Sequence, residues 1–449
     1  MQTSLAIILG SVFTIIIVFI EYVKLFQLKK KIEALDWLLM SIALFNGVGF
    51  SFVIWSTFNG YNIDIWASKI LRFSNQSILI YYALNLVMVS SVILGWTIAK
   101  STVSKRNVNS NNYGAIYEEK YKKKVYRIAW VMLIVGILSY MLYSRAYGGF
   151  SGLIYYSRLI RSGITIVQNS FSFLQRFGSF AFFSSYIFLG LIIDKTVVTK
   201  KRMGLILGFI ISFLFSIFVL YTWVGRISFI VYLATLFLGV ILYKSTSIFR
   251  LSRKLIKLLI FSLVSIVLFD RLLNRSRVGI TIIELFTKEL SFPAASFISQ
   301  LEINSFRWFK DILVSPLYIL PSRIWNVTLN LDTASMENTY SFWGAVKGQS
   351  GVTGSIPVDF LTFSFMQASV IGVIVVGIMW GFILVWIQNK INRIHSKGIR
   401  MILLGNVILN VIILSVLYGD PLHIITRNFG LIAGMIFLSL ANKIKWTTR

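Results

Sequence analysis

The sequence predicts an all-α protein that crosses a membrane many times. Of its 449 residues, 57% are hydrophobic and only 13% are charged, and the mean hydropathy is +0.78. About eleven apolar stretches approach the ~20 residues that a helix needs to cross a bilayer. Lysine clusters fall on alternate connectors between them, which is typical of polytopic proteins with basic cytoplasmic loops. Soluble domains carry roughly 25% charged residues, so the composition excludes that class.

The apolar stretches predict the spanning helices in chain order. The first follows an N-terminus without a basic segment or a small-residue cleavage site, which favours a membrane helix over a signal peptide. The eighth is short for a span. The predicted segments are 5–23, 37–58, 78–98, 129–143, 177–193, 205–224, 227–243, 258–269, 366–387, 402–417 and 431–441. They define an N-terminal membrane domain (1–270), a loop (271–364) and a C-terminal membrane domain (365–449).

The lysine positions predict the orientation of these helices. Lysines cluster at 29–31, 122–124, 195–201, 244–257 and 390–400, and again from 443 onward. Because cytoplasmic loops are enriched in Lys and Arg, these connectors should face the cytoplasm. The N-terminus and the 271–364 stretch then face outward, and the C-terminus faces inward. Asn111 is expected inside and Lys347 outside.

The 271–364 stretch differs from the rest of the chain because it lacks a membrane-length apolar segment. Loops longer than ~15 residues without structure of their own are uncommon unless they are functional or disordered. We therefore expect a large, partly helical extracytoplasmic loop that forms a cap over a membrane-embedded site.

The formal charge of +28, from 44 Lys and Arg against 16 acids, needs no nucleic-acid partner. Basic cytoplasmic loops and a lipid-facing surface poor in acids explain it. The chain has no cysteine and only two histidines, which excludes thiolate metal sites and a multi-histidine zinc site. It also lacks a phosphate-binding glycine loop and metal-ligand spacing, so no metal and no cofactor is expected.

Arginine, rather than lysine, is the main basic residue on the predicted outward side. Its planar guanidinium can bind phosphate at two points and stays charged when half buried. The alternative is a structural role, in which these side chains extend to lipid headgroups and anchor the helices. Arg226 fits that alternative poorly, because it lies in a very short turn between two spans. The candidates for binding a pyrophosphate are Arg158, Arg161, Arg226, Arg275, Arg277, Arg323 and Arg427.

Three residues are candidates for a general base, and each has a structural alternative. His423 shares a short outward turn with Asp420 and could instead fix that turn. Glu337 could cap a helix or pair with an arginine of the cap. Asp359 could cap the helix that follows it. We rank His423 first, because a neutral imidazole accepts a proton near pH 7.

Several short motifs together resemble the Wzy-type polysaccharide polymerases, which make O-antigen and enterobacterial common antigen. The motifs are Tyr147-Gly148-Gly149-Phe150 followed by Arg158, Val224-Gly225-Arg226, Leu320-Pro321-Ser322-Arg323-Ile324-Trp325, Thr353-Gly354-Ser355-Ile356-Pro357-Val358-Asp359-Phe360 leading into Gly372 and Gly377, and the turn that holds Arg427. The resemblance covers most of the chain as topology. One departure is Asp359, because that stretch of the family often carries glutamate.

The resemblance implies a metal-independent membrane glycosyltransferase with a GT-C-like fold, located in the bacterial cytoplasmic (inner) membrane with an outward-facing site. It implies transfer of a growing glycan from undecaprenyl pyrophosphate onto a new lipid-linked repeat unit, with inversion at the anomeric carbon. The implied partners are the undecaprenyl-pyrophosphate-linked oligosaccharide, membrane lipid and a chain-length regulator protein. One alternative is an O-antigen ligase, which shares the fold and the donor. Another is a polysaccharide flippase or transporter, although transporters usually contain two similar halves and no internal repeat is evident here.

Overall fold

A computed structural model of the chain is helical throughout its regular structure. It describes residues 1–27, 31–61, 65–104, 115–163, 167–194, 202–245, 281–303 and 305–443, with isolated residues at 253, 254, 257 and 264. These described residues contain no strand. The predicted all-α fold class is therefore confirmed.

Fourteen main helices, labelled in chain order, account for most of the described residues. They are α1 (Gln2–Gln27), α2 (Ala34–Phe58), α3 (Asn75–Ser104), α4 (Ala115–Arg145), α5 (Gly149–Ser162), α6 (Ser172–Ile193), α7 (Arg202–Thr222), α8 (Arg226–Lys244), α9 (Ile282–Ile303), α10 (Ala334–Trp343), α11 (Phe360–Asn392), α12 (Lys397–Leu417), α13 (Pro421–Arg427) and α14 (Phe429–Lys443).

Within the described residues, nine helices are long and apolar enough to cross a membrane, namely α1–α4, α6–α8, α11 and α12. The bent pair of α13 and α14, with 64° between its halves, brings the count to ten if it forms one span. Ten of the predicted segments coincide with helices, and segment 258–269 lies outside the described residues apart from the isolated residue 264. The chain is a multi-pass membrane protein.

The helices group into two compact units, each built from separated parts of the chain. Unit 1 comprises Met1–Asn109, Ser276–Asn389 and Val411–Ile424. Unit 2 comprises Ser110–Arg275, Lys390–Asn410 and Ile425–Arg449. These groups are defined by spatial contacts between helices.

Unit 1 packs its helices through small residues and buried polar pairs, as membrane bundles commonly do. Gly95 of α3 lies against α11 so closely that an added Cβ would be 2.2 Å from the Ile378 carbonyl oxygen. The buried amide of Asn46 donates to Asn85 Oδ1 at 2.6 Å and joins α2 to α3. Helix α9 packs on α2 and carries the first part of the cap.

The cap is partly helical, as predicted, and it belongs to unit 1. It contains α9, α10 and the short helix Lys310–Val314, joined by irregular turns. Its backbone is tied to the first turns of α11, where Arg307 N–H donates to the Met366 carbonyl and Trp308 N–H to the Gln367 carbonyl, each at 2.8 Å. These carbonyls lack helical partners because α11 is broken at Ala368 and Ser369, which have non-helical dihedral angles.

Unit 2 is a bundle in which α6 is the central helix. It packs against α4, α7 and α12, and α8 packs against α12. Phe183, Ile187 and Phe188 of α6 lie in the buried core of this bundle. The bundle holds in place the turn between α7 and α8, to which two of the candidate arginines donate hydrogen bonds.

Candidate functional site

The turn between α7 and α8 is short, as the sequence predicts, and its backbone is strained. Val224 has a positive φ of 52°, which is costly for a β-branched residue. Gly225 follows with an extended backbone and precedes the first residue of α8, Arg226. Helix α8 therefore begins with its free N–H groups in this turn, and helix N-termini favour anions.

Arg161 of α5 reaches this turn, because its Nη1 donates to the Val224 carbonyl oxygen. Helix α5 is oriented by glycines in left-handed conformation at both ends, Gly148 (φ 84°) before it and Gly163 (φ 78°) after it. A side chain there would be strained, since these conformations favour glycine. Arg158, one helical turn before Arg161, is exposed on the same helix.

Arg427, at the end of α13, reaches the same turn from another part of the chain. Its Nη2 donates to Ser228 Oγ at 3.1 Å. The structure thus brings two predicted arginines to the start of α8. Arg161 contacts the turn before the helix, and Arg427 contacts Ser228 in its first helical turn, which begins with the third predicted arginine, Arg226. The Arg226 side chain lies outside what the structure describes.

Arg427 also lines a small, partly open cavity within unit 2. The described lining residues include no acid, and most of their polar groups are neutral. They are Ser179, Phe182, Phe183, Tyr186, Leu220, Trp223, Ser228, Tyr232, Asn406, Asn410, Arg427, Asn428, Gly430 and Leu431. A cavity with a guanidinium and no carboxylate in its described lining is suited to an anionic or neutral ligand.

Three asparagines are among the polar residues that line the cavity. Asn406 and Asn410 lie one turn apart on α12, where the backbone widens into a π-helical stretch from Val407 to Ile413. Such π-helical turns occur frequently at functional sites. Asn410 Nδ2 lies 3.4 Å from Thr235 Oγ1, and Asn428 Nδ2 donates to the Asn410 carbonyl at 3.3 Å. Asn406 is only 4% exposed, and its Oδ1 has no hydrogen-bond partner within the described residues.

The sequence reasoning missed these asparagines. Their signal was the presence of two amides four residues apart in an otherwise apolar segment, 402–417. Polar side chains inside a span are costly and often functional. Two amides inside an apolar span are therefore as strong a sign of a functional site as the arginines at the ends of the spans.

The three candidate bases all belong to unit 1, and Asp359 among them caps α11. Its Oδ2 accepts from the backbone N–H groups of Leu361 at 3.1 Å and Thr362 at 3.3 Å. Its Oδ1 has no hydrogen-bond partner among the described residues. Burial raises the pKa of Asp359 to about 6, although the hydrogen bonds from Thr362 and Leu361 lower it. Asp359 thus caps α11, which was the structural alternative to its role as a base.

Glu337 pairs with an arginine of the cap, which was also among its structural alternatives. It accepts from Arg307, and from Ser305 Oγ at 3.2 Å. Arg307 forms a two-point pair with the fully buried Asp311, which also accepts from Gln367 and from the Ala334 N–H.

The ion-pair cluster shifts the pKa values of its members in different directions. Burial raises the pKa of Asp311, although Arg307 and Gln367 lower it. Burial lowers the pKa of Arg307, but Asp311, Asp332 and Glu337 outweigh burial and raise it overall. Burial also raises the pKa of Asp332, but Lys310 and Arg307 outweigh it and bring that pKa to about 2. The cluster therefore holds the cap together through charged pairs.

His423 is half buried on α13, and its backbone N–H donates to the Asp420 carbonyl at 3.0 Å. The fully buried Asp420 organises this turn, because its carboxylate accepts from Ser335 N–H at 3.0 Å and from Leu422 N–H at 2.8 Å. The His423 ring lies 6.2 Å from the Tyr418 ring, edge to face. The turn is thus fixed by the Asp420 carboxylate.

The remaining predicted arginines are not gathered at the unit 2 cavity by any described contact. Arg323 belongs to unit 1 and is exposed at the start of the irregular turn Arg323–Thr328. Arg275 and Arg277 lie outside the described residues. In the described part of the chain, no group of three or more His, Asp or Glu side chains is placed to hold a metal ion.

The fold and these contacts define an all-α, multi-pass membrane protein with a cationic, amide-lined cavity in one of its two units. Comparison with protein-family models, with curated proteins and with solved structures finds no match to the chain.

Proposed function

We propose that the chain is a membrane glycosyltransferase that uses undecaprenyl-pyrophosphate-linked oligosaccharides. More specifically, we propose a polysaccharide polymerase of the inner membrane, which transfers the growing glycan onto a new lipid-linked repeat unit. The main support is the approach of Arg161 and Arg427 to the turn 223–228, beside a cavity without acids among its described lining residues. The resemblance to the Wzy-type family supports the finer assignment.

In this proposal, the arginines stabilise the departing lipid pyrophosphate. Breaking the bond between the anomeric carbon and the pyrophosphate oxygen leaves negative charge on that oxygen. Prearranged guanidinium groups and free N–H groups at the start of α8 are suited to such charge. Arg427 and the α8 N-terminus would contact the phosphates, and Arg161 would hold the turn through the Val224 carbonyl.

The acceptor hydroxyl must lose a proton as it attacks, and a base supplies roughly 10²–10⁴ in rate. His423 remains our first candidate, because a neutral imidazole accepts a proton near pH 7. Asp359, only 1% exposed, would need an opening of the cap before it could reach a substrate. Glu337 is held by Arg307 in the ion-pair cluster of the cap.

The decisive experiment uses purified protein in lipid vesicles with synthetic undecaprenyl-pyrophosphate repeat units as donor and acceptor. A ladder of longer lipid-linked glycans supports a polymerase. Transfer only to an added lipid-core acceptor points to a ligase instead. Movement of the intact substrate across the bilayer without a new glycosidic bond points to a flippase.

In cells, deletion of the gene provides an independent test that distinguishes a polymerase from a ligase. A lipid core capped with a single repeat unit is the expected result for a polymerase. Free carrier-linked polymer together with uncapped lipid core would identify a ligase and overturn the finer proposal.

The role of Arg427 can be tested in the same vesicles with Arg427→Lys and Arg427→Ala. Lysine keeps the charge but loses the two-point geometry, so both variants should lower turnover at least about tenfold, a loss of ~1.4 kcal/mol in transition-state binding. Arg72→Lys is the matched control, because Arg72 is an exposed arginine paired with Glu302 in unit 1. Normal turnover in both Arg427 variants would reduce this residue to a lipid anchor.

A further inference from the structure

The cap carries an apolar outer surface between residues 313 and 329. Leu313 is 77% exposed and Val327 is 73% exposed, values as high as those of side chains on the outside of the spanning helices. Exposed apolar surface costs roughly 25 cal/mol per Å² in water. Six aliphatic side chains of this segment are exposed, namely Leu313, Ile319, Leu320, Ile324, Val327 and Leu329.

The same segment has a well-packed inner side, so its apolar outer side is not a sign of loose structure. Tyr318 and Trp325 are buried, and their rings meet edge to face with centroids 5.2 Å apart. Backbone N–H groups of Leu320, Ile324 and Leu329 donate to carbonyls within the segment. The segment thus has separate inner and outer faces, both of them apolar.

The attachment of the cap to α11 sets the level of this segment relative to the membrane. Trp308 N–H donates to the Gln367 carbonyl, just before the break in α11. Directly after the break, Ile371 is 65% exposed on an apolar helix. From residue 370 to residue 387, after which the polar residues begin, α11 is about 27 Å long at ~1.5 Å per residue, which is close to the ~30 Å thickness of the hydrocarbon core.

The hydrocarbon region therefore begins near the break, which directly follows Gln367. Residue 308 lies at that level because of its hydrogen bond, and the apolar segment begins a few residues later. This places the segment near the boundary between headgroups and acyl chains. Water is not its expected surrounding at that level.

The polar residues of the segment fit a lipid surface. Arg323 is its only charged residue and is exposed, and no acid lies between 313 and 329. Trp308, Tyr340 and Trp343, close by in the cap sequence, are also exposed. Apolar side chains with a basic residue, flanked by Trp and Tyr, are typical of segments that lie in the membrane interface.

We infer that residues 313–329 insert into the bilayer leaflet adjoining the cap, with lipid as the partner of the apolar surface. The aliphatic side chains enter the boundary of the acyl chains, and Arg323 meets a lipid phosphate. This insertion adds a second attachment of the cap to the membrane, besides its hydrogen bonds to α11. The inference does not depend on the proposed enzymatic activity.

The absence of cysteine from the chain allows a direct test by site-specific labelling. Leu313→Cys and Val327→Cys are each labelled with an environment-sensitive fluorophore in vesicles of phosphatidylcholine and phosphatidylglycerol. Quenching is then compared between nitroxide-bearing lipid and aqueous iodide. Ile371→Cys, on the exposed side of α11, serves as the lipid-facing reference, and Gln349→Cys, in an exposed polar turn of the cap, as the water-facing reference.

Both test positions should be quenched by the nitroxide lipid at least half as strongly as position 371, and iodide should quench them much less than position 349. Quenching by iodide as strong as at position 349 would overturn the inference. Protection from both quenchers that increases with protein concentration would also overturn it, because a second copy of the chain would then cover the surface.

Discussion

Two carboxylates of unit 1 show how much the surroundings of a residue decide its chemistry. Glu337 accepts from Arg307 in an ion-pair cluster, whereas Asp359 caps a helix with one oxygen and has no described partner on the other. The sequence offered both residues as candidate bases, with these contacts as alternatives. Distinguishing them required the non-local approach of Arg307, which residue spacing alone does not reveal.

The raised pKa of Asp359 predicts a specific pH dependence of stability. Burial raises the pKa of Asp359 to about 6 in the folded protein, whereas the unfolded chain has a pKa of ~3.9. As the pH rises, the folded protein therefore keeps this proton to a higher pH than the unfolded chain does. The stabilising contribution is full below about pH 4 and is lost as the pH rises through 6. Asparagine mimics the protonated form and still caps a helix.

Asp359→Asn should therefore be more stable than the wild type at pH 8, by about 2–3 kcal/mol in the free energy of unfolding, and similar to it at pH 4. Thermal unfolding in detergent at the two pH values measures the difference. Equal shifts at both pH values would contradict the burial argument. Turnover of the same variant in the polymerisation assay separates the helix cap from a base, since only loss of a base removes activity from a stable protein.

Arg307 is expected to be the most sensitive charged residue of the cap. Its side chain is 4% exposed and pairs with the fully buried Asp311, so removing it leaves a buried carboxylate without its partner. Arg307→Met should destabilise the protein by about 3–5 kcal/mol. Arg72→Met, at an exposed pair with Glu302, should cost less than about 1 kcal/mol. Similar melting temperatures for the two variants would show that the cluster is unimportant for stability.

At the scale of single helices, hydropathy predicted where the helices lie but not where a helix is broken or widened. Ten predicted segments coincide with helices, because a membrane span needs only a long apolar run. The break in α11 and the π-helical stretch in α12 lie inside such runs and leave no trace in hydropathy. At the break, the N–H groups of Arg307 and Trp308 satisfy the carbonyls that the helix leaves free.

The break in α11 predicts an unusual effect of a glycine substitution. Ser369 has a φ of 54° with a ψ of −136°, a conformation that glycine adopts without strain. Ser369→Gly should stabilise the protein by roughly 1 kcal/mol. Ser364→Gly, in the helical part before the break, should destabilise it by roughly 0.5–1 kcal/mol. Melting temperatures in detergent should thus move in opposite directions, and a decrease in both variants would contradict the strain at Ser369.

At the scale of the whole molecule, the sequence predicted the class of protein but not the grouping of its helices. Unit 1 combines the N-terminal helices with the cap and most of α11, and unit 2 takes α4–α8 together with parts of α12 and the C-terminal helix. These groupings depend on contacts between segments hundreds of residues apart. For the same reason, Arg161 and Arg427 were both predicted as ligands, but their approach to one turn was not.

The last prediction is the orientation of the chain in the membrane, and it rests on the distribution of lysines. Connectors rich in lysine should face the cytoplasm, which places Asn111 inside and Lys347 outside. Asn111 lies outside the described residues, whereas Lys347 is exposed in the cap. In the cysteine-free chain, Lys347→Cys should react with a membrane-impermeant thiol reagent in intact cells. Asn111→Cys should react only after the membrane is permeabilised. Labelling of Asn111→Cys in intact cells would contradict this topology. The cap would then face the cytoplasm, and a transfer reaction at the outer face of the membrane could not take place beneath it.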